Sequence, residues 1–308
     1  MLYKYCWRES NNNRLPQIYH FTMSTPPVPA PPVVLSPAIE AMAIHREHSN
    51  WRTRIRAMLP FDGAFIRCVR VARFTLILGP WRGLTVAILR HMFQNRVFLR
   101  ISPTLFPQLD VDAASKALDR DGFAVGLKIP QSLIKNIIEF GAKSELVQEA
   151  HWDCAEINRI AHDTAIVEVV KLYLGVEPIL HSTTLFWTLP NKSGKATYPE
   201  TFHYDVGDFK SVCVCFYLTD VAFDSAPHVA IAGTQKSKSL LRLINPFMTN
   251  EYAARRFGSR VTTFIGEAGT GFFEDQVTQH KRLVCVKPRL ALFVNYTLSR
   301  KPDTVPGS

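Results

Sequence analysis

Beyond residue 175 the chain breaks into short apolar or β-branched runs punctuated by glycine and proline. Seven such runs, at 179–189, 211–218, 229–232, 261–265, 269–273, 283–286 and 290–296, predict a mainly β protein, an antiparallel sandwich or barrel. Upstream, helix-period segments with stop signals predict flanking helices. No fixed-period repeat is visible, which excludes a solenoid or propeller.

In order along the chain, residues 1–39 read as a disordered Pro-rich segment. Asn11, Asn12 and Asn13 precede six prolines between Pro26 and Pro37, a composition that favours extended polyproline conformations over packing. Met23 is an alternative start to Met1. Residues 40–101 read as a basic helical extension divided at Pro60 and at Gly79-Pro80. The +10 formal charge belongs to this front third: residues 1–100 hold 14 Lys and Arg against 4 Asp and Glu, and the remainder is neutral. Two readings of these arginines stand. They are solvated around an apolar face packed on the main domain, or they form an amphipathic surface for anionic membrane or an acidic partner. No nucleic-acid motif accompanies the charge, so no nucleic-acid partner is expected.

The main domain spans 102–300, followed by a tail at 301–308. Residues 110–118 read as a helix, Asp121-Gly122 as a turn and 123–129 as a strand. Pro130 opens a helix to about residue 140, and residues 154–174 read as one long helix stopped by Gly175.

The chemistry-bearing pattern is Phe202-His203-Tyr204-Asp205, then His280, then Arg289. His203 and Asp205 stand two apart, so an extended backbone turns both side chains the same way. Two imidazoles and one carboxylate can hold a divalent iron on one face and leave the opposite face open. His280 follows 271–279, read as a strand leading into a loop, and could bring the third ligand from a facing strand. Arg289 can grip a carboxylate in a bidentate fork, as a 2-oxo diacid cosubstrate requires.

Three segments carry a specific likeness. They are 202–221, containing the His203 and Asp205 pair; 226–236, opening Ala226-Pro227-His228; and 266–296, with Glu274-Asp275, His280-Lys281 and Arg289. In this order they resemble the phytanoyl-CoA dioxygenase family over about residues 102–300. The resemblance implies a double-stranded β-helix (a cupin-like jelly roll), iron(II) held by His203, Asp205 and His280, and 2-oxoglutarate held by Arg289. It also implies dioxygen as co-reactant, release of succinate and carbon dioxide, and Tyr217 as an aromatic beside the cosubstrate. Loops depart from the family pattern at Ser225-Ala226-Pro227, at Gly233-Thr234-Gln235 and at Arg282. The implied activity is oxidation, a hydroxylation, of a small-molecule or carrier-linked substrate. Two alternatives are a metal cupin enzyme that needs no 2-oxoglutarate and a catalytically silent jelly roll.

Other residues receive plainer readings. The six cysteines form no CxxC pair and read as reduced thiols, with Cys213 and Cys215 in the core. Glu267, Glu274 and Asp275 read as solvated strand-end acids, His45 and His48 as surface residues, and Lys210 and Lys281 as cations near the site. With no signal peptide and no membrane-length apolar run, the cytoplasm is the default location.

Overall fold

A computed structural model describes residues 17–19, 62–190, 198–236, 238, 243 and 245–299. Outside these lie His45, His48, most of the 1–39 segment, the start of the basic extension and the C-terminal tail.

Among the described residues, ten strands form two sheets. They are β1 (Gln17–Tyr19), β2 (Phe123–Lys128), β3 (Leu146–Gln148), β4 (Ile179–Thr188), β5 (Ser211–Tyr217), β6 (His228–Ile231), β7 (Val261–Phe264), β8 (Thr270–Asp275), β9 (Gln279–Arg282) and β10 (Arg289–Thr297). The larger sheet runs β2-β8-β5-β10-β4-β3, antiparallel throughout; the smaller runs β1-β7-β6-β9. Strand β1 pairs parallel with β7, so three residues of the segment read as disordered extend the smaller sheet.

Strand β5 shows how the sheets face each other. Its odd positions Cys215 and Tyr217 meet Phe264, Phe272 and Ala230 between the sheets, while its even positions Val212, Val214 and Phe216 meet the helices. Both faces are covered, so the strand is apolar without alternation. Cys213 and Cys215 are buried free thiols, and burial pushes Cys215 up to about 12. The architecture is a jelly roll with helices over one face.

Those helices are α3 (Val111–Asp121), α4 (Gln131–Gly141), α5 (Ala155–Ala161) and α6 (Thr164–Leu174), preceded by α1 (Asp62–Leu78) and α2 (Arg82–Met92); α7 (Asn250–Phe257) lies beside the smaller sheet. Asp110 caps α3 by accepting from Ala113 N, and Gly122 ends it at φ 85°. A side chain at Gly122 would collide with the Thr278 hydroxyl, two residues before His280.

The single helix expected over 154–174 is two. Asp163 interrupts it because its carboxylate caps α6, accepting from Ala165 N at 2.9 Å and Ile166 N at 3.3 Å. The same group accepts from Thr104 Oγ1 at 2.8 Å and Leu105 N at 2.6 Å, four bonds that a continuous helix would forfeit. The expected strand at 283–286 is also displaced. Pairing falls on β9, a polar run that hydrophobic periodicity does not mark, and His280 therefore sits on a strand.

The arginine-rich helices pack an apolar face on the main domain, as the first reading expects, but several arginines are bound to that domain as well. Arg73 donates to Val206 O at 2.7 Å, Arg82 to Phe209 O at 2.8 Å, Arg90 to Leu174 O at 2.6 Å and Arg96 to Leu298 O at 2.9 Å. These four guanidinium groups bind the main domain, Arg73 while still exposed to solvent. Phe74, Ile77 and Leu78 of α1 pack with Tyr204 and Val277, which fixes the loop between His203 and Asp205 from behind.

His151 gives a pH prediction. Burial, with the nearby His162 adding to it, lowers its imidazole to about 4, and Thr183 Oγ1 lies 2.8 Å from Nδ1. The folded state therefore binds this proton only below about 4, whereas the unfolded chain takes it up near 6.5. Stability should fall as pH drops from 6.5 to 4, by roughly 2–3 kcal/mol. Thermal melts of His151→Gln should show a flatter acid limb; an unchanged limb refutes the assignment.

Candidate metal centre and anion pocket

The backbones of His203 and His280 are locked opposite each other: His203 N donates to His280 O at 2.9 Å and His280 N to His203 O at 2.7 Å. Their ring centroids stand 4.5 Å apart. Asp205 is held by its own N–H on Gln276 O at 2.9 Å, and its carboxylate Oδ2 lies 3.5 Å from His280 Nε2. Donor atoms of His203, Asp205 and His280 all fall within 4.8 Å of one another. The sequence-predicted triad is therefore assembled.

The tautomers are fixed as a metal needs them. His203 Nδ1 lies 2.8 Å from Thr201 O and His280 Nδ1 lies 3.0 Å from Thr278 O. Each Nδ1–H donates to a carbonyl, which leaves Nε2 for coordination. Both rings are buried, while the Asp205 side chain is 53% exposed and marks the open side.

Electrostatics favour a cation here. Burial lowers His203, and the charge of His280 adds to that, so His203 stays neutral and able to ligate. For Asp205, burial works upward, but the His280 hydrogen bond and charge prevail and hold it below the usual range. At His280 burial works downward, yet the carboxylates of Glu274 and Asp205 raise it to about 9. Without a metal this position carries a proton between three acids and bases; a bound metal takes that proton's place.

A second constellation escaped the sequence reading. His228 Nε2 and Glu274 Oε1 are 2.9 Å apart, and with His280 they form another group of donors within 4.8 Å. Glu274 is buried, as is Asp275, which accepts from Tyr173 Oη at 2.5 Å; neither is a solvated strand-end acid. Strand parity was the available signal. Glu274 shares the inward parity of Phe272, and Asp275 shares that of Phe273 toward the helices. His228 sits among Phe264, Phe272 and His280 in tilted ring contacts, at centroid distances of 5.7, 5.2 and 5.2 Å. Because His228 and Glu274 already satisfy each other in a closed interior, the open group around Asp205 is the better metal seat.

Arg289 opens β10 and is 3% exposed. One terminal nitrogen donates to Ala226 O, the other to Thr188 Oγ1 at 3.3 Å, and buried Nε has no partner. Among the described residues no carboxylate pairs with this guanidinium. A permanent buried cation held only by neutral oxygens is a site for an anion. Tyr217 lies with its ring 5.6 Å from the Arg289 guanidinium carbon. Its hydroxyl donates to Phe264 O at 3.1 Å and accepts from His228 N at 3.0 Å, so the ring and not the hydroxyl faces Arg289. Lys210 and Lys281 turn elsewhere, donating to Tyr173 O at 2.6 Å and Asn250 Oδ1 at 2.7 Å.

No protein-family model matches the chain, and no curated protein matches it. Among solved structures, the non-heme alpha ketoglutarate dependent epimerase SnoN from nogalamycin biosynthesis matches at TM-score 0.50 and 15% identity, over 64% of this chain and 90% of that one. EctD from S. alaskensis with bound Fe matches at TM-score 0.48 and 18% identity, over 68% of this chain and 89% of that one. The fold shared with SnoN is the jelly roll.

Proposed function

We propose that the protein is an iron(II)- and 2-oxoglutarate-dependent oxygenase of the phytanoyl-CoA dioxygenase type, acting in the cytoplasm on a small-molecule or carrier-linked substrate. The observation that carries this reading is the pairing of an open His203–Asp205–His280 triad with the anion-seeking Arg289 in one jelly roll. SnoN, an alpha ketoglutarate dependent epimerase whose fold the chain shares, supports the same class.

His203, Asp205 and His280 would hold the metal, with the two imidazoles anchored through their Nδ1–H groups on backbone carbonyls. A set of only three protein ligands would leave the metal free to take 2-oxoglutarate and dioxygen. Arg289 holds the far carboxylate of 2-oxoglutarate, orphaned Nε supplying a donor, with the Tyr217 ring alongside. The metal, 2-oxoglutarate and dioxygen together supply the oxidation: one oxygen atom enters succinate as carbon dioxide leaves, and the other enters a substrate C–H bond. The chain contributes geometry, a buried pocket wall and the Arg289 charge.

Anaerobic addition of iron(II) and 2-oxoglutarate to the protein tests the reading. A visible charge-transfer band that needs both, followed by succinate release in air, is expected. Iron binding without the band points to a cupin enzyme that uses no cosubstrate. Failure to bind iron leaves a silent jelly roll.

A further inference from the structure

The jelly roll locks two of the three metal-ligand candidates by strand pairing, but the third lies past the end of that pairing. His203 and His280 exchange two backbone hydrogen bonds, and the bridge ends at His203. Asp205 stands beyond it on irregular backbone, the exposed member of the three. The chain is anchored again at Asp208, whose carboxylate accepts from Ser299 N at 2.5 Å and Ser299 Oγ at 2.6 Å. Between these anchors the jelly roll holds the Asp205 backbone through its N–H on Gln276 O.

Helix α1, outside the jelly roll, grips both chain neighbours of Asp205 with two consecutive residues. Arg73 donates a charge-assisted hydrogen bond to Val206 O at 2.7 Å. The Phe74 ring stands 5.5 Å from the ring of Tyr204. Both rings are buried, and Ile77, Leu78 and Val277 close the cluster around them. Helix α2 ties the same loop further along, with Arg82 Nε donating to Phe209 O at 2.8 Å. The position of the Asp205 carboxylate follows that of its Cα. A small shift of this loop would carry its oxygens away from two imidazoles that cannot follow, because their backbones are bonded to each other.

We propose that Arg73 and Phe74 of α1 are positioning residues for Asp205, so that the basic N-terminal hairpin tightens the metal centre of the jelly roll. The proposal rests on His203, Asp205 and His280 as the metal ligands and is independent of the cosubstrate. It gives the arginine-rich extension a task in the site, performed through the backbone on either side of one ligand.

The probe is cobalt(II), added to the full-length protein without 2-oxoglutarate and followed by equilibrium dialysis and by its visible absorption. Phe74→Ala should weaken binding by about 10- to 100-fold, the usual cost of losing a group that orients a ligand. Arg73→Ala should weaken it severalfold, and Phe74→Leu, which keeps an apolar body against Tyr204, should restore most of the loss. A double-mutant cycle decides between positioning and general packing. In an Asp205→Ala background, where the carboxylate is already gone, neither substitution should weaken the residual binding further. Equal losses in both backgrounds overturn the proposal, as does unchanged binding in both single variants. If Phe74→Ala unfolds, the cycle is run with Arg73→Ala, which removes an exposed hydrogen bond. Wild-type protein that binds no cobalt(II) overturns the metal assignment itself, and this proposal with it.

Discussion

Replacing His203 or Asp205 by alanine is expected to abolish 2-oxoglutarate-dependent succinate formation, by at least ~10³-fold, or about 4 kcal/mol in the barrier. The two variants should fail differently. Loss of His203 removes a neutral imidazole whose Nδ1 is anchored on Thr201 O and whose backbone remains bonded to His280. Iron content should therefore fall while the fold persists. Loss of Asp205 removes the one negative charge of the ligand set, at the solvent-facing side of the site. Two imidazoles remain, so residual iron binding with no turnover is expected. Metal analysis and succinate assay on the two proteins, with thermal melts as the folding control, check both parts. Normal turnover in either variant would falsify the metal assignment.

The candidate triad and Arg289 were legible because each residue is chemically conspicuous and its spacing is mechanical. His203 and Asp205 sit two apart on extended backbone, and Arg289 opens a strand where parity turns it inward. The helix near 110–118 and the turn at Asp121-Gly122 were legible too, although Asp110 proves to cap the helix and Gly122 to end it. What escaped depends on partners distant in sequence. Asp163 breaks a helix whose periodicity runs on without interruption, because Thr104 and Leu105 also need its carboxylate. Strand β9 is polar, since His280 and Arg282 point into a site and not into a hydrophobic core, so no apolar alternation announces it. Glu274 reads as a solvated strand-end acid, and His228 carries no reading of its own, until the two sheets bring them within 2.9 Å. The arginines of α1 and α2 take their direction from carbonyls at Val206, Phe209 and Leu174, which periodicity cannot reveal.

Arg289 separates cosubstrate binding from metal binding. Substitution by alanine or glutamine leaves the His203, Asp205 and His280 donors in place, so iron content should be unchanged. The far carboxylate of 2-oxoglutarate would then enter a buried pocket with no cation to meet it. Removing one partner of a buried, hydrogen-bonded charge pair costs ~2–5 kcal/mol, which is roughly 30- to 5000-fold in affinity. The expected result is a KM for 2-oxoglutarate raised by that factor, with much of kcat recovered at saturating cosubstrate. Arg289→Lys should fall between, because an ammonium keeps the charge but cannot reproduce the fork that also reaches Ala226 O and Thr188 Oγ1. Those two contacts give the control: a purely structural arginine would lower the melting temperature and kcat together and leave the KM for 2-oxoglutarate where it was. A raised KM with iron binding intact is the signature of a residue that touches the cosubstrate.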